Sequence, residues 1–440
     1  MTVTLPSICG QSVARLSVRK GKVSMFRRFL AASGLANLGD GIATLAWVWV
    51  ATTLTRDAGL IALVPVALRL PWAIFAIPAG IMADRVDRRR LVIAMDVVRA
   101  LAFLVAAAVL TFRGEAGPAP VEGVSSVPLF LALCLCAMTV GMAEVFRDNA
   151  AQTLLPAIVP DAGLERANGR LWTTEALANQ LVGPAFGAFL LGVALALPFA
   201  FNALAYGVAA ILMARLAGNF HPGPPSEARW RAALARAWLY LLGQPLLLLL
   251  AVVTGLWNLC FEATLFALVL HAQENLGLSA QDYGFVLTAF ALGGAVAGLV
   301  GHRIAARLGT GRTMRLALIL SAVMLIVVPL APNGWWLAAT FVVFEMSGII
   351  WNIVSVSLRQ RLIPDELRGR VNSLYRLLAW GMIPLGIGLS GWLIGLAEDV
   401  VGRSQALTAP IWAAGGVMLL LALLAQRPLQ RGLDQAKGRG

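Results

Sequence analysis

Apolar residues run along this chain in blocks of about 20, broken by short polar or Gly/Pro-containing stretches. Twelve such blocks fall near 27–52, 58–82, 91–112, 128–154, 168–193, 196–216, 245–270, 281–302, 313–331, 335–358, 372–396 and 405–426. Bilayer hydrocarbon offers no partner to backbone N–H and C=O groups, and about 20 helical residues cross its thickness, so each block is read as a membrane-spanning helix. Two junctions are tight enough to be helical hairpins: Leu195-Ala196-Leu197-Pro198 and Ala331-Pro332-Asn333-Gly334. The expected fold is therefore all-α, a polytopic membrane protein with twelve transmembrane helices in two pseudo-symmetric six-helix bundles.

A break at 217–228, rich in Gly and Pro, separates six blocks from six. The expected organisation is a disordered cytoplasmic tail over 1–24, a first bundle over 25–217, a cytoplasmic linker over 218–244, a second bundle over 245–427 and a cytoplasmic tail over 428–440. The first 24 residues are polar and basic without an apolar core, unlike a cleaved signal peptide, and Met25-Phe26-Arg27-Arg28 looks like a natural start. Within the linker, Ser226 is placed to cap a helix whose Trp230, Leu234, Trp238 and Leu241 share a face, as in a helix lying at a membrane surface.

Composition agrees: 59% of residues are hydrophobic and 13% charged. The formal net charge is +13, and its placement matters more than its size. Arg85, Arg88, Arg89 and Arg90 follow the second block, Arg303, Arg307, Arg312 and Arg315 the eighth, and Arg359, Arg361, Arg368 and Arg370 the tenth. The alternate loops carry Arg56, Arg113 and Arg403. By the positive-inside rule both termini lie in the cytoplasm of a multi-pass inner-membrane protein. The basic residues report orientation and contact with membrane lipids, not nucleic acid. Cys9, Cys134, Cys136 and Cys260 lack metal-ligand spacing and read as packing residues. No phosphate-binding loop and no clustered His, acid or nucleophile is present, so neither ATP drive, a cofactor nor enzymatic chemistry is expected.

Charges inside hydrocarbon cost about 3 kcal/mol or more each and so need a reason. Asp40 and Arg69 fall at comparable depth on neighbouring blocks, which predicts an ion pair. That pair either fixes helix register or carries a coupling proton. Glu144, Arg147 and Asp148 cluster toward the cytoplasmic end of the fourth block, as in a gate. Glu262 and Glu345 lack a basic partner at their depth; they either bond Asn258 or Asn352, or, with Asn37, face a wet substrate cavity that attracts a cationic or hydroxyl-bearing solute.

Pro160-Asp161 is followed by Arg166 and Asn168, and Pro364-Asp365 by Arg370 and Asn372 at the same offsets, which marks the halves as repeats. After the second block runs Gly80-Ile81-Met82-Ala83-Asp84-Arg85-Val86-Asp87-Arg88-Arg89-Arg90. This resembles the G-x-x-x-D-R-x-G-R-R/K signature of the major facilitator superfamily, with Asp87 in place of the second glycine. The resemblance covers nearly the whole chain. It implies that Gly80, Asp84, Arg85 and Arg89 latch the halves on the cytoplasmic side when the cavity opens outward. Gly183-Pro184-Ala185-Phe186-Gly187 partly matches the family's antiporter motif, with Gly183, Pro184 and Gly187 in place. Pro156, Pro160, Leu164, Ala167 and Asn168, with Arg368-Gly369-Arg370-Val371-Asn372, resemble the branch of siderophore exporters and macrolide efflux pumps. The resemblance implies a monomeric secondary transporter that expels an amphipathic small molecule in exchange for protons. Uptake of a metabolite, or flipping of a lysophospholipid, is the alternative on the same fold.

Overall fold

A computed structural model of the protein describes residues 8–83, 85–112, 118–159, 164–218, 220–221 and 230–437. Twelve helices among them are long and apolar enough to cross a membrane, and they coincide with the twelve predicted blocks. The first bundle contains α1 (Ile8–Thr52), α2 (Ala58–Ala83), α3 (Arg88–Thr111) and α4 (Val127–Ile158). Its fifth span is composite: α5 (Leu164–Glu175), a π-helical turn (Ala176–Val182) and α6 (Gly183–Val193), before α7 (Leu197–Ala214) completes it. A linker helix, α8 (Trp230–Leu242), leads into α9 (Pro245–Glu274), α10 (Ala280–Leu308), α11 (Thr310–Val327) and α12 (Gly334–Leu362). The eleventh span is again interrupted, as α13 (Asp365–Trp380) and α14 (Met382–Val401). Short α15 (Arg403–Ala406) and α16 (Ala409–Lys437) follow.

Two boundaries differ from expectation. The first helix already runs from Ile8, through most of the stretch expected as a disordered tail, and α16 continues through Pro428 to Lys437. The linker helix also splits its expected apolar face. Ala237 and Leu241 pack against Leu247, Ile363, Val371 and Leu374 of the second bundle, whereas Trp238 and Leu239 face outward.

In lipid the tails outside a helix are as apolar as its neighbours, so helices associate through close packing, not water exclusion. The two halves solve this in the same way. In the first, α2 packs on α4, α3 on α4 and α7, and α1 on α6 and α7. In the second, α10 packs on α12, α11 on α12 and α16, and α9 on α14 and α16. The closest approaches recur at matching places. Gly141 of α4 lies on the Leu68 carbonyl of α2 and Gly187 of α6 on the Ile42 carbonyl of α1. In the second half Gly293 lies on the Val342 carbonyl and Gly386 on the Leu259 carbonyl. A Cβ at any of these positions would enter the facing backbone. Outward positions such as Leu101, Leu104, Trp392, Leu423 and Leu424 are large, apolar and exposed, as a lipid-facing surface requires.

The halves touch each other along α2 and α14 and along α6 and α10. Ala58 and Ala62 meet Gly391, and Gln281 meets Gly192. Arg56, in the loop after α1, pairs with Glu274 at the end of α9 at 3.0 Å, and Arg403 holds the same carboxylate at 2.7 Å while also bonding Glu398 at 2.8 Å. Arg56–Glu274 is the one ion pair between the bundles among the described residues, and it sits at the end opposite the chain termini.

Candidate functional site

Three helices converge on the carboxylate of Asp40. Arg99, on α3, directs Nη2 onto Asp40 Oδ1. Tyr206, on α7, donates its hydroxyl to the same oxygen at 2.7 Å and accepts from Arg99 Nη2 at 2.6 Å. The guanidinium also lies over the Tyr206 ring, 4.0 Å from its centroid. Arg99 and Tyr206 are completely buried, whereas the Asp40 side chain keeps 21% exposure. Asp40 is therefore the face of this triad that a cavity can reach.

The expected pairing of Asp40 with Arg69 is not what forms. Because α2 packs along α4, Arg69 turns to Glu144, 3.7 Å away, and α3 and α7 present Arg99 and Tyr206 to α1 in its place. Glu144 in turn lies 3.9 Å from Arg99. Asp40, Arg99, Glu144 and Arg69 thus form an alternating chain across α1, α3, α4 and α2.

The expected grouping of Glu144, Arg147 and Asp148 is divided for the same reason. One turn along α4, Arg147 bonds Asp148 at 3.2 Å and, through Nε, Asp96 of α3 at 3.2 Å. Asp96 is fully buried and its Oδ2 has no protein partner. Sequence reading passed over Asp96 and Arg99, although both fall inside the third predicted block and their charge was the available signal. Tyr206 carried no such signal, since a tyrosine in an apolar helix reads as packing.

The signature loop works mainly inside the first bundle. Asp84 lies outside the described residues, and Arg85 is exposed. Asp87, where the family has glycine, caps α3 by accepting from the Arg90 backbone N–H at 2.9 Å. Arg88 donates to the carbonyls of Ala83 and Thr153, and Arg89 to that of Leu216 at the end of α7. In this arrangement Arg89 is thus engaged within its own bundle, by a carbonyl just past the end of α7. Gly80 lies beside Asn149. An Asp87→Ala variant is expected to lose about 1 kcal/mol of stability and Asp87→Gly only a few tenths, read as thermal melting in detergent.

Gly183 and Pro184 open α6 directly after the π turn, and this break lets the fifth span lie against α1 at backbone distance. Gly41 faces the Asn179 carbonyl, and a Cβ on Gly183 would stand 2.6 Å from the Gly41 Cα. Since Gly41 adjoins Asp40, this crossing fixes where the triad stands.

In the second bundle, Glu345 of α12 is buried beside Gly294 of α10, and Glu262 of α9 is half-buried. The expected hydrogen bonds to Asn258 and Asn352 do not form: Asn258 donates to the Ala379 carbonyl at 2.9 Å, and Asn352 is exposed. Asn37, half-buried, donates to Ser33 O at 2.9 Å. Aromatic rings wall this region, with Trp257 stacked on Phe344 at 5.3 Å and on Phe261 at 5.1 Å between centroids.

Comparison with known proteins places this architecture. The Major Facilitator Superfamily model matches residues 29–386 and 258–437. The chain belongs to the Major Facilitator Superfamily. It is a transporter, not an enzyme, and a multi-pass membrane protein. This superfamily member is 27% identical to the multidrug efflux pump Tap of Mycolicibacterium fortuitum over 415 residues, covering 90% of this chain and 95% of Tap. It is 23% identical to the enterobactin exporter EntS of Shigella boydii over 354 residues, covering 79% of each. Among solved structures, a bacterial homologue of the lysosomal transporter Spinster, inward-facing and unoccupied, superposes with a TM-score of 0.73 at 13% identity, covering 94% of this chain and 98% of that one. A bacterial homologue of ferroportin in its inward-facing state gives 0.68 at 15% identity, covering 92% and 98%. These two likenesses concern the fold.

Proposed function

We propose that the protein is a proton-coupled exporter of amphipathic small molecules, drug-like compounds or siderophores, acting by alternating access in the inner membrane with both termini in the cytoplasm. One observation carries the reading: the alternating chain Asp40–Arg99–Glu144–Arg69. A proton on Asp40 removes the charge that holds Arg99. Arg99 then moves onto Glu144, and Glu144 loosens its hold on Arg69 of α2, the helix that lies against α14 of the other bundle. Proton binding is thereby converted into a change at the contact between halves, using groups that hydrocarbon would otherwise penalise. Asp40 is the coupling residue and Arg69 its far end, with Glu144, Arg147 and Asp148 as the charged gate around them.

With the basic loops inside, the Arg56–Glu274 end faces outward, so the bundles are closed to the outside and a solute enters from the cytoplasm. Glu262, which the charge of Arg69 attracts, and the unpaired Glu345, with Asn37, Asn258 and Asn352 and the rings around Trp257, supply carboxyl groups and flat apolar walls suited to an amphipathic, cationic solute. The names of the relatives, an efflux pump and a siderophore exporter, point the same way. The test is accumulation of a panel of antibiotics and siderophores in cells with and without the gene. Lower accumulation in expressing cells, abolished by a protonophore, is the expected result; higher accumulation would turn the reading to uptake.

A further inference from the structure

The halves meet along a seam that can be followed inward from the closed end. Ala58 and Ala62 of α2 lie on Gly391, Val66 lies on Gly388, and the indole of Trp72 stands edge-on to that of Trp380, 5.6 Å between centroids. One turn further in, Phe75 packs on Phe146 of its own bundle, so Trp72–Trp380 is the one ring contact between the halves among the described residues. Trp380 is 42% exposed and is the last residue of α13 before the break at Gly381.

Arg376 stands one turn before Trp380 on α13, and residues four apart share a helix face, so it looks into the same gap between the halves. It is exposed, its guanidinium 5.5 Å from the centroid of the Trp380 ring. None of the ion pairs among the described residues includes it. Its surroundings add positive charge. Arg359 of α12 is buried, lies 3.7 Å over the Tyr375 ring with Nε unpartnered, and is near enough to feel the charge of Arg376. A cation within a membrane span that has no counter-ion, and that faces a passage instead of lipid, marks a place where the counter-ion arrives with the solute. The exposed indole beside it offers a flat surface for a ring.

The register of α9 against α13 sets the distance from Arg376 to the nearest acid on that side. Asn258 donates to the Ala379 carbonyl at 2.9 Å. Glu262 is one turn outward from Asn258, and Arg376 is just under one turn inward from Ala379, which places their backbones about 10 Å apart along the helix axes. Glu262 also faces the gap, since it feels the charge of Arg69 across it. We propose that Arg376 and Trp380 form an anion-binding subsite of the transport cavity, Arg376 taking the acidic group of the solute and Trp380 its ring, while Glu262 takes the ammonium at the other end. The transported class is then an aromatic zwitterion whose two charges sit at opposite ends of a flat body. This rests on Glu262 lining the solute cavity of an exporter.

The test is equilibrium binding to the full-length protein in detergent at neutral pH, by calorimetry, of an aminomethyl-naphthoate with its groups at opposite ends of the ring pair, of its methyl ester, and of plain naphthoate. These present a zwitterion, a cation and an anion on one ring system. Wild type is expected to bind the zwitterion about tenfold more tightly than the ester, the increment of one charge-assisted hydrogen bond. Arg376→Gln should lose about tenfold for the zwitterion and for naphthoate and leave the ester within about twofold, and Arg376→Lys, which keeps the charge without the planar fork, should fall between. Glu262→Gln should weaken the zwitterion and the ester and spare naphthoate. Arg376→Gln weakening all three alike, or none, overturns the subsite. Ester affinity untouched by Glu262→Gln overturns the cavity reading, while an Arg376-dependent hold on naphthoate leaves the anion subsite standing. In wild type alone, a zwitterion bound no tighter than its ester overturns the proposal, whether or not any variant folds, and so does a failure of all three probes to bind.

Discussion

Asp40→Asn is expected to give a folded protein whose proton-driven transport falls to the level of vesicles without it. The amide keeps one oxygen to accept from Tyr206, so the variant folds at a cost of about 1 to 3 kcal/mol. What is lost is the ability to change charge. Uncharged like the protonated acid, the amide leaves Arg99 on Glu144 and Arg69 loosened throughout, so neither cycles with a proton. Uptake of a transported dye from the medium into inverted vesicles energised by respiration measures the driven process, and exchange of labelled for unlabelled dye, with no gradient, measures movement of the halves alone. The variant should fail the first and pass the second. Driven transport at the wild-type rate would reduce the triad to a device that sets the rotation of α1 against α3 and α7.

The second large effect concerns the crossing of α1 with the fifth span. Gly41→Val puts a branched side chain against the Asn179 carbonyl, and Gly183→Val puts one 2.6 Å from the Gly41 Cα and 2.7 Å from the Ala178 carbonyl. Both obstacles are backbone, which cannot rotate away as a side chain can. A loss of about 3 kcal/mol or more is expected for each, seen as an early thermal transition in detergent. Gly395 and Gly416 lie inside helices with no neighbour within 4 Å of a built Cβ, so alanine there should be neutral or raise stability by about 0.5 to 1 kcal/mol. If the four variants melted alike, close backbone approach would not be what holds the fifth span to the first. A displaced fifth span also moves Asp40, so the valine variants should lose transport along with stability.

Much of this molecule is legible in its sequence. Twelve apolar blocks give twelve helices, because the demand for internal backbone hydrogen bonds in hydrocarbon leaves no other local structure. The repeat is visible in Arg166 and Asn168 against Arg370 and Asn372, although Pro160 and Asp161 lie outside the described residues. The charged residues proposed for coupling and gating, Asp40, Arg69, Glu144, Arg147 and Asp148, stand out through their charge alone. Who pairs with whom does not. Depth along a helix follows from residue number, but the direction a side chain faces depends on which helices become neighbours, and α1 meets α7 more closely than it meets α2. Arg99 is thus the partner of Asp40, at similar depth to Arg69 but on a helix that faces it. Tyr206 escapes any tally of charges, since its place in the triad comes from burial beside an ion pair. The π turn at 176–182 is equally silent in the sequence apart from Gly183-Pro184 at its end.

The Arg56–Glu274 contact has a consequence of a different kind. Arg56 keeps 48% of its side chain exposed and Glu274 24%, so dissolved ions in the surrounding medium reach the clasp. Its grip weakens as the distance over which charges feel each other shrinks, from about 30 Å in very dilute water to about 8 Å at physiological salt. In the proposed orientation, salinity outside the cell thereby becomes a setting on how long the molecule waits in its resting pose before it turns over.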